Sequence, residues 1–126
     1  MPIRYLYLFA LMGAIGCASA AGNSGSRRDS NLITEQDIAG IPATNAYDAI
    51  ERLRPLFLRS RGKTSINTPN TEYPTVYVDG VRYGDLNSLR NILAPHILDI
   101  RYYNGAVAGA RFGLQNTAGV IEVRMK

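Results

Sequence analysis

The chain has no tryptophan, one cysteine and one histidine among its 126 residues. A single cysteine forbids an internal disulfide, so core packing alone must hold the fold. One histidine and one cysteine also leave no ligand set of the zinc-finger kind. Charge of one sign is scarce: the net charge is +4, and Arg4 lies in a segment that export would remove, leaving 13 basic and 10 acidic residues. After residue 16 no apolar run approaches the ~20 residues of a membrane-spanning helix. The hydrophobic fraction of 46% excludes an intrinsically disordered class, and the length suits one domain.

What is present begins at the N-terminus. Met1-Pro2-Ile3-Arg4 is a short basic start, and residues 5–16 form an apolar stretch of 12 residues. As a helix it rises about 18 Å, short of a hydrocarbon core of about 30 Å. That length suits the apolar region of a signal peptide, so residues 1–16 are expected to be a cleaved signal. Two cleavage sites compete. Ala14-Ile15-Gly16-Cys17 resembles the lipobox of bacterial lipoproteins, where the cut precedes a cysteine that is then acylated with palmitate-type chains. Ala18-Ser19-Ala20 is an A-x-A site for ordinary signal peptidase, which would discard Cys17 and release a secreted or periplasmic protein. The lipoprotein reading gives the lone cysteine a reason for its position, so Cys17 is the expected lipid-attachment residue. In that resemblance Ala18, standing where aspartate signals inner-membrane retention, points to the outer membrane.

Residues 17–30 are small, polar and rich in glycine and serine, and read as a flexible linker after the lipidated cysteine. The domain is expected at residues 31–126. Thr34 to Asp37 has the pattern of a helix start. Asn45 and Asp48 cap a longer helix whose apolar face is Ala46, Ala49, Ile50 and Leu53, and Pro55 ends it. Leu56, Phe57 and Leu58 follow as a buried exit segment, and residues 61–72 as a polar loop. Pro74 to Val78 alternates as a strand, Asp79-Gly80 turns, and Val81 to Tyr83 returns. Leu86, Leu89, Ile92 and Leu93 predict a second amphipathic helix closed by Ala94-Pro95. Ile97 to Tyr103 is a strand, Gly105 to Gly113 a packed helical turn, and Val120 to Met125 a last strand with Val and Ile inward and charge outward along at least part of its length. Helices and strands mix without regular alternation, which predicts an α+β domain: a short mixed β-sheet with two main helices.

Convergent chemistry is sparse. His96 is expected as a loop residue, and Asp79 is explained by its turn. Gly105, Gly109 and Gly113 are followed by no G-K-[ST], so they form no phosphate loop. Ser60 and Ser65 have no base in a recognisable motif. Tyr77, Tyr83, Tyr102 and Tyr103 are candidates for a clustered patch on the sheet. Arg52, Arg54, Arg59, Arg61 and Lys63 form a basic cluster able to meet phosphate or an anionic membrane, or simply a solvated face. It lacks the aromatic platforms of nucleic-acid binders. No catalytic, cofactor-binding or metal-binding residues are expected, no cofactor and no nucleic-acid partner.

From Pro74 onward the segments resemble the plug domain of TonB-dependent outer-membrane receptors. That family carries P-x-V-x-V-D-G-V, and here Pro74, Val76, Val78, Asp79, Gly80 and Val81 match it. Ile92, Pro95, Asp99 and Ile100 are similar to the next family segment, with His96-Ile97-Leu98 lengthening it. Ala106 to Gly113 and Gly119-Val120-Ile121-Glu122-Val123 resemble its small-residue run and closing strand. Upstream, residues 33–38 and 46–53 are similar to the plug's opening and first long helix. The resemblance implies a plug-like domain across residues 32–126. A receptor barrel of ~22 strands at ~10 residues each exceeds this chain, so transport is not implied. The expectation is a non-enzymatic, lipid-anchored outer-membrane protein whose domain binds another envelope protein. The alternatives are a small-ligand-binding envelope protein and the plug remnant of a split or decayed receptor.

Overall fold

The computed structural model describes residues 28–62 and 72–126. The expected signal at 1–16, Cys17 with the linker as far as residue 27, and Lys63 and Ser65 lie outside the described residues.

The domain is α+β. Its strands are β1 (Leu32–Thr34), β2 (Thr75–Val78), β3 (Val81–Gly84), β4 (Ile97–Tyr103) and β5 (Val120–Met125), and its α-helices are α1 (Glu35–Ala39), α2 (Ala46–Leu53) and α3 (Gly105–Phe112). The sheet runs β1-β4-β5-β2-β3, with β2 parallel to β5 and the other pairs antiparallel.

Local chemistry explains the helix starts. Thr34 and Asp37 close a reciprocal capping box on α1. The Asn45 side chain accepts from the Asp48 N–H to cap α2, and Asn104 accepts from the Val107 N–H to cap α3. Asp79 (φ 49°) and Gly80 (φ 82°) both adopt positive φ, the requirement of a type I′ turn, which joins β2 to β3.

Period-two alternation gives the sheet two unlike faces. Ile33, Val76, Ile100, Tyr102, Ile121 and Val123 point to one side and pack with Ile38, Ala49, Ile50, Phe57 and Leu89 in the main core. The other side holds a smaller cluster of Tyr77, Val120 and Ala108, with Phe112 and Tyr103 against it, where α3 lies on the sheet.

Three expectations are corrected. Residues 86–91 form a 3-10 segment, not an α-helix. Leu86, Leu89 and Ile92 recur every third residue, which aligns them on one side of a three-residue turn, and Leu93 is left 55% exposed. The second eight-residue helix is instead α3. Phe57 is buried within the 3-10 segment Pro55–Leu58, but Leu56 faces solvent. Finally, β5 does not send its first charge outward: Glu122 is buried because α3 covers its side of the sheet.

Candidate functional site

Strand polarity defines two ends of the domain. At the entry end lie the start of β1, the end of β4, the start of β5 and the start of β2, since Leu32 pairs with Arg101, Tyr103 with Val120 and Thr75 with Val120. At the far end lie the β2–β3 turn, the start of β4 and the end of β5. There the Met125 N–H donates to the Asp79 carboxylate.

The tyrosines do not form one patch. Tyr102 stacks on Phe57 in the main core at a centroid distance of 5.0 Å, whereas Tyr77 and Tyr103 meet Phe112 under α3. Tyr83 is exposed on the edge strand. His96 is exposed at the end of a 3-10 segment, where its carbonyl accepts from the Lys126 N–H. Among the described residues no group of His, Cys, Asp and Glu is placed to hold a metal ion. The Ser60 hydroxyl accepts from the Gly62 N–H. Gly105 and Gly119 are close-packing positions, whereas Gly109 has room for a side chain. A Cβ on Gly105 would lie 2.0 Å from the Thr117 carbonyl oxygen, and one on Gly119 2.7 Å from that of Tyr103.

The charged groups that sequence reasoning missed lie on the outer face of the sheet. The Tyr103 hydroxyl donates to the Glu122 carboxylate at 3.0 Å, and Arg111 of α3 approaches the same oxygen at 4.0 Å. Burial, then the hydrogen bond to Glu122, pushes the Tyr103 phenol above its ordinary value. Arg124 grips Asp99 through two nitrogens, and the carboxylate raises the guanidinium pKa. Asn116 donates to the Tyr77 hydroxyl and to the Phe112 and Gly113 carbonyls, closing the end of α3. Each of these groups has an internal partner: Tyr103, Glu122, Arg111 and Asn116 fasten α3 to the sheet, and Asp99 with Arg124 ties β4 to β5.

Two of the concavities among the described residues have apolar walls with polar groups beside them. The first, at the far end, is a hollow of about 270 Å³ lined by Ile38, Ile41, Ala43, Ala94, Pro95 and Ile97 and rimmed by a Glu35–Lys126 ion pair of 2.7 Å. At the same end of the sheet, Leu98 next to the lining residue Ile97 is 41% exposed, and Val81 on the opposite edge strand is 70% exposed. This arrangement is an apolar hollow with exposed aliphatic side chains at the same end and a charged rim, the make-up of a protein-binding patch. The second is a shallow groove of about 410 Å³ between Tyr47, Leu58, Tyr73 and Leu86, with Asp85 and Asn87 on one wall. The Asp85 carboxylate already caps the following 3-10 segment by accepting from Asn87 and Ser88. Of the basic cluster, Arg54 donates to the Ser30 and Leu53 carbonyls, and Arg61 lies over the Tyr102 ring at 5.1 Å.

No described helix is long and apolar enough to cross a membrane. Comparison with protein families, with curated proteins and with solved structures finds no match.

Proposed function

We propose that the chain is an outer-membrane-associated lipoprotein of the bacterial envelope, held by Cys17, whose plug-like domain binds another envelope protein without transport or catalysis. The gathering of apolar surface at the far end carries this reading: the hollow, Val81 and Leu98 share the end of the sheet opposite the one where the tether joins. An anchored module presents to a partner the end remote from its anchor. The position of the lone cysteine supports the anchor, and the strand-turn-strand at Pro74 to Val81 supports the plug likeness.

A photo-crosslinking residue placed at Val81 or Leu98 in living cells should give a reproducible protein adduct, absent when the probe replaces Glu51 on α2. Equal yield at all three positions, or none at any, would defeat the reading of the far end. Radiolabelled palmitate should enter the wild-type chain and not Cys17→Ala.

A second reading rests on the groove between Tyr47 and Tyr73. The Tyr47 ring, with Arg90 over it at 3.8 Å, and the Tyr73 ring, with Asp85 and Asn87 beside them, suit a small polar ligand in a small-ligand-binding envelope protein. A thermal-shift screen with glycans, metal chelates and oligopeptides tests it, and a flat response across all three classes counts against it.

A further inference from the structure

We infer that the entry end of the domain docks on an anionic phospholipid leaflet, the one that carries the Cys17 anchor. The inference rests on the anchor proposed above and adds an oriented contact to it.

The first observation is where the chain enters. Asp29 precedes β1 and pairs with Arg101 at 3.5 Å, and the Tyr102 N–H donates to the Asn31 carbonyl. The incoming tether therefore joins beside the end of β4, and α3 begins two residues after β4 ends. Anchor-side chain and α3 share one end of the molecule.

The second observation is the charge there. Arg28 is exposed at the point of entry, Arg54 donates to the Ser30 carbonyl, Arg61 lies over Tyr102, and Arg101 flanks Asp29. The cluster that the sequence left as either phosphate-seeking or merely solvated is thus brought in part to the tether. Against these cations stand Asp29, which pairs with Arg101, Asp37, which lies within electrostatic reach of Arg28 and Arg54, and Glu72, and no acid occurs from residue 100 to residue 121.

The third observation is apolar exposure. Val107 on α3 is 47% exposed, and Leu114, just past its end, is 84% exposed. Ala110, one turn on from Val107 along α3, is exposed as well, and Leu114 follows the helix end after Gly113 at φ 109°. Arg101, across from Glu122, shares the α3 side of the sheet with these aliphatic side chains, while Arg61 lies on the Tyr102 side, and basic and apolar groups at one end match the two layers of a membrane interface, phosphate and upper acyl chain.

Magnitude decides whether so few contacts suffice. A free protein with this patch would bind vesicles weakly. Chain of glycine-serine-rich composition and about 12 residues has a root-mean-square reach of ~20 Å, and a tether of that reach would hold the domain at millimolar or higher effective concentration over the bilayer. Weak intrinsic affinity is then enough to keep the entry end down. The far end is turned toward the partner.

The test uses the exported form, residues 17–126, with Cys17→Ala, so that lipidation plays no part. A single cysteine is introduced by Val107→Cys or Leu114→Cys, or by Glu51→Cys as a control, and carries an environment-sensitive dye. Phosphatidylcholine vesicles with about one third phosphatidylglycerol should blue-shift the dye at 107 and 114 and not at 51, and pure phosphatidylcholine should do so weakly. Removing the charge with Arg61→Gln, or with Arg28→Gln, should weaken binding by about fivefold each, and added salt should weaken it too. Unchanged dye emission at 107 and 114 at millimolar anionic lipid, or a shift equal at 51, overturns the inference. So does binding indifferent to both the arginines and salt. If docking occurs yet palmitate never enters Cys17 in cells, the anchor reading fails while the docking surface stands.

Discussion

Single residues in this domain act through backbone approach and hydrogen bonding. Gly105→Ala drives a Cβ into the Thr117 carbonyl, and we expect a loss of roughly 3 kcal/mol in urea unfolding. Gly109→Ala is the matched control. Its Cβ would meet only Leu114 Cδ2 at 4.0 Å, so the better helix propensity of alanine should leave stability equal or up to about 1 kcal/mol higher. The carboxylates add a pH dependence. Asp37 is held below its ordinary 3.8 by the Thr34 backbone N–H and hydroxyl, and Asp48 below its ordinary 3.8 chiefly by the Thr44 hydroxyl. Both folded values are depressed, so their contribution is present above the unfolded value and is lost as pH falls through the folded one. Carbon-detected titration should give midpoints below 3.8 for both groups, and Thr44→Ala should return Asp48 toward that value. Tyr103 has the opposite sign. Its folded value is raised above 10.0, so its share of stability is intact below that pH and is lost as pH climbs through the folded value.

At the scale of elements, the segment after β3 and helix α3 carry the main lessons. Leu86, Leu89 and Ile92 were read as part of a 3.6-residue pattern, yet their spacing of three suits a 3-10 turn equally well. The competition is decided by Ile92, which is buried, and Leu93, which is not. Leu89→Ala should accordingly cost about 2–5 kcal/mol, and Leu93→Ala within about 0.5 kcal/mol of nothing, by urea denaturation. Helix α3 carries few large side chains against the sheet, so its polar fastening matters in proportion. Tyr103→Phe strands the Glu122 carboxylate beside an Arg111 that reaches it only at 4.0 Å. We expect a loss of about 1–3 kcal/mol. Amide exchange should rise across Gly105–Phe112 ahead of the rest of the domain, because the network is what ties that helix down.

For the whole molecule, the expectation is one cooperative unit from about residue 31 to the C-terminal residue. Strand β1 supports it: the first strand pairs with β4 in the same sheet as the last. Residues 31–126 should therefore give dispersed amide resonances and a single unfolding transition, and collapsed signals would remove the basis of every proposal above. The sheet also gives the molecule a polarity, with charge and tether at one end and an apolar hollow at the other. The linear order hides it, because Val81, Leu98 and Ile38 lie far apart along the chain and come to one end of the sheet only through strand pairing.

The sequence by itself determined the local decisions: both capped helices at residues 34–53, the type I′ turn at Asp79-Gly80, and strands β2, β4 and β5. Each is set by residues within a few positions of one another, through capping hydrogen bonds, positive φ at glycine and period-two alternation. Only the tertiary structure decided the burial of Glu122 and Asp99, the separation of the four tyrosines, the capture of Asn116 and the two-ended surface. Those depend on which strand lies beside which and on where α3 settles, and burial is a property of neighbours distant in sequence that short-range patterns do not encode.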